Sequence, residues 1–157
     1  MTKSLSIPRQ VATLVGFIVV TFCAPLASVS IMPPGAWYEA LHKPTWNPPA
    51  WLFGPVWTLL YTLMAVAAWL IWKRAGWRLP LALYFIQLML NALWTPLFFG
   101  AHLLGLALLE VVLFWVAILL TTLGFRNVSR TAAWLMVPYL AWVAFASFLN
   151  FTLWQLN

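Results

Sequence analysis

One stretch of the sequence decides the fold. Residues 103–125 read LLGLALLEVVLFWVAILLTTLGF and contain a single ionisable side chain, Glu110. An α-helix crosses the hydrocarbon layer of a bilayer with about 20 consecutive, mostly apolar residues. This stretch is long enough and apolar enough to do so, and it predicts a transmembrane helix.

Four further apolar stretches have the same character and are separated by charged residues and helix breakers. They cover about 11–29, 49–72, 79–99 and 131–154. The first follows basic residues and imitates a signal peptide, but its apolar run is longer than a usual signal core, so we interpret it as a retained helix. No linker or repeat divides the chain, so residues 1–157 are expected to form one domain. The predicted fold is all-α, a polytopic membrane protein with five transmembrane helices.

The composition excludes several other classes of protein. Of the 157 residues, 65% are hydrophobic and only 6% are charged, far fewer than a water-facing surface needs. The net charge is +6, but the basic residues are scattered in short loops, which does not indicate nucleic-acid binding. The single cysteine, Cys23, lies in an apolar run and can form no intrachain disulfide. With two histidines it makes no recognisable metal site.

The basic residues also predict the orientation. Of the eight Lys and Arg side chains, only Lys43 falls on the side of the first and third loops. The others fall on the opposite side: Lys3, Arg9, Lys73, Arg74, Arg78, Arg126 and Arg130. Because basic loops stay in the cytoplasm, the N-terminus is expected there. A bacterial cell membrane is predicted, or the mitochondrial outer membrane if the protein is eukaryotic.

The first loop, Ser30 to Pro48, is much longer than the other connections, and long loops in tight bundles tend to be functional. Residues 35–41 could form a short helix with Trp37 and Leu41 on one face. The prolines at 44, 48 and 49 favour extended backbone before the next helix. Periodicity alone leaves two interpretations open, a lid over the bundle or an aromatic anchor at the membrane surface.

A series of long and ordered motifs resembles the tryptophan-rich sensory protein (TspO/MBR) family, whose animal member is the translocator protein. The motifs read WY at 37–38, KPTWNPP at 43–49, GPVW at 54–57, QL at 87–88, FFG at 98–100, VPYLAW at 137–142, AF at 144–145 and LN at 149–150, together with Tyr61, Asn91, Trp94 and Pro96. They cover every predicted helix except the first.

The resemblance implies a five-helix bundle, usually dimeric, with a ligand cavity capped by the first loop. It implies no required cofactor, and its ligands include porphyrins such as protoporphyrin IX, related tetrapyrroles, sterols and benzodiazepine-type drugs. Animal members carry a C-terminal sterol motif with Tyr followed by Arg. Here Phe151 replaces the Tyr and residues 150–155 hold no basic side chain, which places tetrapyrroles ahead of sterols.

The family motifs and the aromatic pattern together predict the site. The predicted ligand-binding residues are Trp46, Phe53, Gly54, Trp57, Gln87, Asn91, Trp94, Trp142 and Ala146, and the predicted lid residues are Trp37, Tyr38, His42, Lys43 and Pro44. Trp51 is grouped with the tryptophans expected to converge beneath the loop. Indole rings suit a flat macrocycle, and basic side chains at the mouth would favour its carboxylates. Gln87 and Asn91 could bind ligand or join neighbouring helices. For Glu110, structural hydrogen bonding is preferred over a proton relay.

Three functions remain open at this stage. The first is a membrane protein that binds tetrapyrroles as a sensor, regulator or transporter. The second is a catalyst of light- and oxygen-dependent porphyrin degradation, for which the resemblance points to Trp57 and Trp142. The third is a sterol- or lipid-binding protein or a scaffold. No nucleophile–base pair is evident in the sequence, so acid–base catalysis is not predicted.

Overall fold

The computed structural model describes residues 6–157, except the side chains of Ala24 and Val29. Six helices follow one another: α1 (Ile7–Ile31), the short α2 (Ala36–Ala40), α3 (Ala50–Ala75), α4 (Leu79–Thr95), α5 (Leu104–Arg126) and α6 (Arg130–Leu156). A π-helical turn, Pro96–Gly100, extends α4. Within the described part of the chain, α1, α3, α4 with its π-helical turn, α5 and α6 are long and apolar enough to cross a membrane. The predicted all-α, five-span fold is confirmed.

The predicted boundaries differ from the observed ones mainly at the first helix, which begins at Ile7 rather than near residue 11. Pro8 lies in its first turn, where the missing N–H costs no hydrogen bond and the fixed φ suits a helix. The short helix predicted within the first loop is present as α2. It follows the extended Gly35 and stops at Leu41, just before Lys43-Pro44.

The five long helices form a closed ring in which α1 contacts α3 and α4, α3 contacts α6, and α5 lies between α4 and α6. Apolar side chains on their outer faces, such as Met89, Leu109 and Trp134, are exposed. A water-facing bundle would not present such a surface, so lipid is the solvent of this fold.

Charged residues mark one end of the bundle. The helix ends and turns opposite the first loop carry most of the basic side chains: Arg9, Lys73, Arg74, Arg78, Arg126 and Arg130. Lys3, the other basic residue assigned to that side, lies outside the described residues. At this end the Arg74 guanidinium donates a hydrogen bond to the Ser129 hydroxyl, which also caps α6 by accepting from the Ala132 N–H at 3.3 Å. The other end, with the first loop, is called the loop end below.

Pro96 explains both the π-helical turn and a contact between helices. Proline has no N–H, so the carbonyl of Ala92, one turn earlier, loses its usual helical donor. The Ser28 hydroxyl of α1 donates to that carbonyl at 2.9 Å. The chain after Pro96 winds into the wider turn, with the Ala101 N–H bonded to the Pro96 carbonyl at 2.8 Å. In lipid a freed carbonyl needs such a partner, and α1 supplies it.

The buried core consists of two clusters. The main cluster runs through the bundle and includes Tyr61, Met64, Tyr84, Phe114 and Tyr139. The second cluster lies at the loop end and consists of Phe98, Ala107, Leu149 and Leu153. Trp37 and Tyr38 of the first loop pack against the second cluster, so the loop is part of the folded bundle.

Candidate functional site

Aromatic side chains from α3 and α6 meet near the loop end. Phe53 and Trp57 are one turn apart on α3, and Trp142 and Phe145 are one turn apart on α6. The Phe53 and Trp142 ring centroids are 5.9 Å apart at 71°, and those of Trp142 and Phe145 are 5.4 Å apart. Trp57 stacks on Tyr61 at 5.1 Å. We call Phe53, Trp57, Trp142 and Phe145 the aromatic layer. It contains three of the predicted ligand-binding residues.

The first loop brings one more predicted ring to this layer. Trp46 lies edge-on to Phe145 at 6.0 Å and stacks on Phe148 at 5.3 Å. It remains 42% exposed, so it covers the side of the layer rather than filling it. Ala146 is half-buried on α6, and Gly54 is exposed on α3.

Trp51 is placed differently from the expectation. The sequence groups it with the converging tryptophans, but its side chain is 72% exposed and no ring contact involves it in the described structure. Trp51 and Trp57 are six residues apart on α3, which places them on different faces of a helix with 3.6 residues per turn. Trp51 therefore faces outward at the loop end.

A hydrogen-bonded network forms the floor beneath the aromatic layer. The Tyr61 hydroxyl donates to Asn91 Oδ1 at 3.0 Å, and Asn91 Nδ2 donates to the Tyr139 hydroxyl at 3.1 Å. The Tyr139 hydroxyl in turn donates to Gln87 Oε1 at 3.1 Å. These four side chains are buried and join α3, α4 and α6. Both Gln87 and Asn91 thus take the interhelical role left open by the sequence, and direct ligand contact by either stays a prediction.

Trp94 also joins helices in this structure. Its indole Nε1 donates to Asn150 Oδ1 at 3.1 Å, and Asn150 Nδ2 donates to the Leu104 carbonyl at 3.0 Å. Its ring stacks on Phe98 at 4.6 Å. The chain of contacts connects α4, α6 and the start of α5. Like Phe53 and Phe145, Trp94 packs against the second cluster, which places it beside the aromatic layer.

The predicted lid residues lie across the loop end. The Trp37 ring lies parallel to that of His102, with centroids 3.9 Å apart, and edge-on to Phe98 at 5.9 Å. Tyr38 is edge-on to Phe99 at 5.4 Å, and burial raises the pKa of its phenol. His42 is held by its backbone, whose N–H and carbonyl pair with the Asn157 side-chain amide at 2.9 and 3.0 Å.

Lys43 is not a free surface cation. Its ammonium donates to the carbonyls of Glu39 and Leu41 at 2.9 and 3.3 Å and lies 4.7 Å from the Tyr38 ring centroid. Pro44, the next residue, is partly buried. The backbone carbonyls hold the charge at the edge of the loop, where a carboxylate could replace them as a stronger partner.

His102 and Asn157 are contacts that the sequence reasoning missed. His102 has a φ of 58°, which non-glycine residues adopt rarely, and this conformation turns its ring onto Trp37. Neither residue belongs to a recognisable pattern, because an imidazole stack and an amide pair depend on elements distant in sequence. The FFG motif at 98–100, just before His102, was the only feature of the sequence that could have pointed to this residue.

The described structure also contains two surface clefts of about 450 Å³ each, and neither includes the aromatic layer. One is lined by Val20, Cys23, Phe85, Leu88 and Met89 on the outer face of α1 and α4. The other is at the loop end, beside His102 and Trp154. Because Trp142 contacts both Phe53 and Phe145, a ligand that entered the layer would have to separate these rings.

Comparison with known proteins identifies the family. The model of the TspO/MBR family matches residues 11–155. This chain belongs to the TspO/MBR family. It is 44% identical over 155 residues to the tryptophan-rich protein TspO of Chlorobaculum tepidum, covering 95% of this chain and 98% of that protein. It is 45% identical over 126 residues to the human translocator protein, covering 77% and 75% of the two chains.

A third TspO/MBR relative is the tryptophan-rich sensory protein of Cereibacter sphaeroides, 41% identical over 134 residues, which cover 85% of each chain. The resemblance drawn from the sequence motifs is therefore confirmed. Together with the five apolar helices, it establishes an integral membrane protein.

Proposed function

We propose that this TspO/MBR protein is a membrane sensor or regulator that binds a porphyrin-type tetrapyrrole, protoporphyrin IX or a close relative, in its aromatic layer. The relative named tryptophan-rich sensory protein supports the sensory role. The observation that supports a porphyrin-type ligand is the set of four aromatic rings beneath the first loop, with Trp46 beside them.

The aromatic layer suits a flat and polarisable ligand. Trp57 and Trp142 come from facing helices. A macrocycle placed between them would contact an indole ring on each of its two faces, and these contacts would replace ring–ring contacts within the protein. Aromatic pairs contribute about 0.5–1.5 kcal/mol each beyond the burial of their surface. The phenols and amides directly below are hydrogen-bonded to one another, and the buried Gln87 Nε2 is the donor among them without a partner in the described structure.

The first loop supplies the complementary charge. A porphyrin of this kind carries two carboxylates, and the contacts that hold Lys43 at the loop edge are with uncharged groups, two backbone carbonyls and the Tyr38 ring. A charge-assisted pair is stronger than a neutral one, so a propionate would draw Lys43 away from Glu39 and Leu41. Movement of Lys43 would then couple ligand binding to the position of the loop, which is what a sensor requires.

Replacing Trp142 with phenylalanine is expected to weaken protoporphyrin binding about fivefold, because it removes an indole of the aromatic layer worth about 1 kcal/mol. The matched control is Trp115→Phe, a partly buried indole whose Nε1 donates to the Leu140 carbonyl outside the layer. Quenching of tryptophan fluorescence in detergent, titrated in the dark, measures both affinities.

Equal weakening by Trp115→Phe would show that the aromatic layer is not the site. The same titration repeated under illumination tests the catalytic alternative, because only a porphyrin-degrading catalyst should generate a new chromophore with time. Loss of that product in Trp57→Phe and Trp142→Phe, measured at porphyrin concentrations that saturate each variant, would favour catalysis over sensing.

The orientation is tested by labelling. In a Cys23→Ser background, cysteine at Ala36 in the first loop and cysteine at Asn127 in the turn before α6 are expected to react from opposite sides of the membrane. Both positions are exposed, and they lie at opposite ends of the bundle. The basic residues near Asn127 predict that it faces the cytoplasm. Labelling of both from one side, by an impermeant maleimide on intact cells, would contradict the five-span topology.

A further inference from the structure

The side-chain amide of Asn157 joins the end of α6 to the first loop. Its Oδ1 accepts a hydrogen bond from the His42 backbone N–H at 2.9 Å, and its Nδ2 donates to the His42 carbonyl at 3.0 Å. The amide thus pairs with both backbone groups of one residue, as a neighbouring β-strand would. This pairing connects two elements that are 115 residues apart in the chain.

The end of α6 holds this amide in place. Asn157 Nδ2 also donates to the Leu153 carbonyl at 2.9 Å, one of the carbonyls that a helix end leaves without a backbone donor. Leu153 is buried and belongs to the second cluster of the core. The donor and acceptor groups of the amide are therefore all engaged. The amide meets the loop in a fixed orientation, anchored on the packed part of the bundle.

His42 lies where the first loop can bend most easily. On one side of it, three prolines among residues 44–49 restrict the backbone. On the other side, α2 is held by Trp37, whose ring stacks on that of His102. The residues between, 41–43, belong to no helix, so we expect the loop to bend there. Asn157 therefore holds the loop at its hinge.

The loop is also attached to α6 beside the aromatic layer. Trp46 stacks on Phe148 at 5.3 Å and lies edge-on to Phe145, a member of the layer. Only three residues separate Trp46 from His42, and Pro44 is one of them, so the positions of the two residues are closely coupled. Trp46 can therefore leave the layer more easily when the pairing of His42 with the α6 end is open.

We propose that Asn157 is a latch on the first loop that sets how fast a ligand enters and leaves the site. This inference rests on the porphyrin site proposed above and adds a kinetic control to it. The paired groups are exposed, so bonds to water can replace the pairing with little change in free energy, as a reversible latch requires. The latch uses only the backbone of His42, so a ligand carboxylate that engages the Lys43 side chain leaves it closed. It therefore acts on both directions of exchange and not on affinity.

Removing the amide in Asn157→Ala is expected to raise the association and dissociation rate constants of protoporphyrin IX about fivefold each, the factor for one hydrogen bond of ordinary strength. The dissociation constant is their ratio and should stay the same. The matched control is Gln155→Ala, which removes an exposed side chain from the same turn and should change neither rate constant. Stopped-flow quenching of tryptophan fluorescence in nanodiscs, in the dark, measures association. Transfer of bound porphyrin to excess lipid vesicles measures dissociation.

Amide hydrogen exchange tests the latch without any ligand. A helix as short as α2 is not stable once it is detached from the bundle. Exchange at the Glu39 and Leu41 amides, whose acceptors lie within the loop, therefore reports detachment. Asn157→Ala is expected to speed exchange at both positions about fivefold, and Gln155→Ala should not change it. The His42 amide is excluded from the comparison, because the variant removes its acceptor directly.

Locking the loop tests the latch in the opposite direction. In a Cys23→Ser background, the cysteines of His42→Cys and Asn157→Cys are joined by a reducible bis-methanethiosulfonate linker. Both rate constants for protoporphyrin should fall, because the loop can no longer leave the end of α6. Reduction of the linker should raise both to values at or above those of the parent protein.

Unchanged exchange at Glu39 and Leu41 in Asn157→Ala would overturn the proposal, because the pairing would then not hold the loop. Faster exchange with unchanged rate constants would overturn it as well, since the ligand would then enter by another route. A rise in the dissociation rate constant alone would make Asn157 a contact that stabilises the complex and not a latch. Each of these results leaves the porphyrin site standing. Failure of the parent protein to bind protoporphyrin would instead reject the proposed function, and the kinetic role of Asn157 with it.

Discussion

Replacing Asn91 with leucine is expected to lower the free energy of unfolding by about 2 kcal/mol, because it removes both the acceptor of the Tyr61 hydroxyl and the donor to the Tyr139 hydroxyl, which keeps its bond to Gln87. Hydrogen bonds between membrane helices are individually modest, but here one amide serves two neighbouring helices at once. Unfolding in mixed detergent micelles, followed by tryptophan fluorescence, measures the change.

A double-mutant cycle separates this effect from a simple loss of shape. Tyr61→Phe alone removes one donor and is expected to cost about 1 kcal/mol, since it strands Asn91 Oδ1. Adding it to Asn91→Leu should cost less than the sum of the two, because both partners of the bond are then gone. Strictly additive effects would mean that the network does not couple α3 to α4.

Replacing Trp37 with alanine is expected to speed amide hydrogen exchange across residues 36–47 by about tenfold or more. The ring contacts both His102 and Phe98, and the loss of two aromatic contacts is worth about 1.5–2 kcal/mol of local opening free energy. The same variant should bind protoporphyrin more weakly, because the loop would have to be ordered when the ligand binds. Exchange with and without ligand, read by mass spectrometry, gives both results.

The matched control is Trp51→Ala. Trp51 belongs to the same end of the bundle but is 72% exposed, so its removal should leave exchange in the first loop unchanged. This comparison also decides between the two interpretations of the loop. A lid predicts that saturating protoporphyrin slows exchange in the parent protein. Exchange that ligand does not change would identify the first loop as an anchor at the membrane surface.

Hydropathy was a reliable guide to the spans. Residues 103–125 predict a helix that the structure shows as α5, Leu104–Arg126. The agreement has a physical basis, because the bilayer core offers no hydrogen bonds to the backbone and forces each apolar segment to satisfy its own. The short helix of the first loop was likewise predictable, since Gly35 and the prolines around it restrict where a helix can begin and end.

The sequence did not predict which face of each helix is buried in the bundle and which faces lipid. Lipid and protein interior are equally apolar, so a helix such as α5 is hydrophobic all round and its sequence does not mark the buried face. Trp51 and Trp57 look alike in the sequence, yet one is outside and the other stacks on Tyr61.

The sequence by itself determined the solvent of this protein, its five spans, its family and the rings available for a ligand. Only the tertiary structure decided which side chains meet: Asn91 with two tyrosines, Trp37 with His102, and Glu110 with no partner among the described residues. The reason is that spans depend on the transfer of each segment into lipid, which is a local property of the chain. Partners depend on the register and rotation of packed helices, which are set by contacts between residues far apart in sequence.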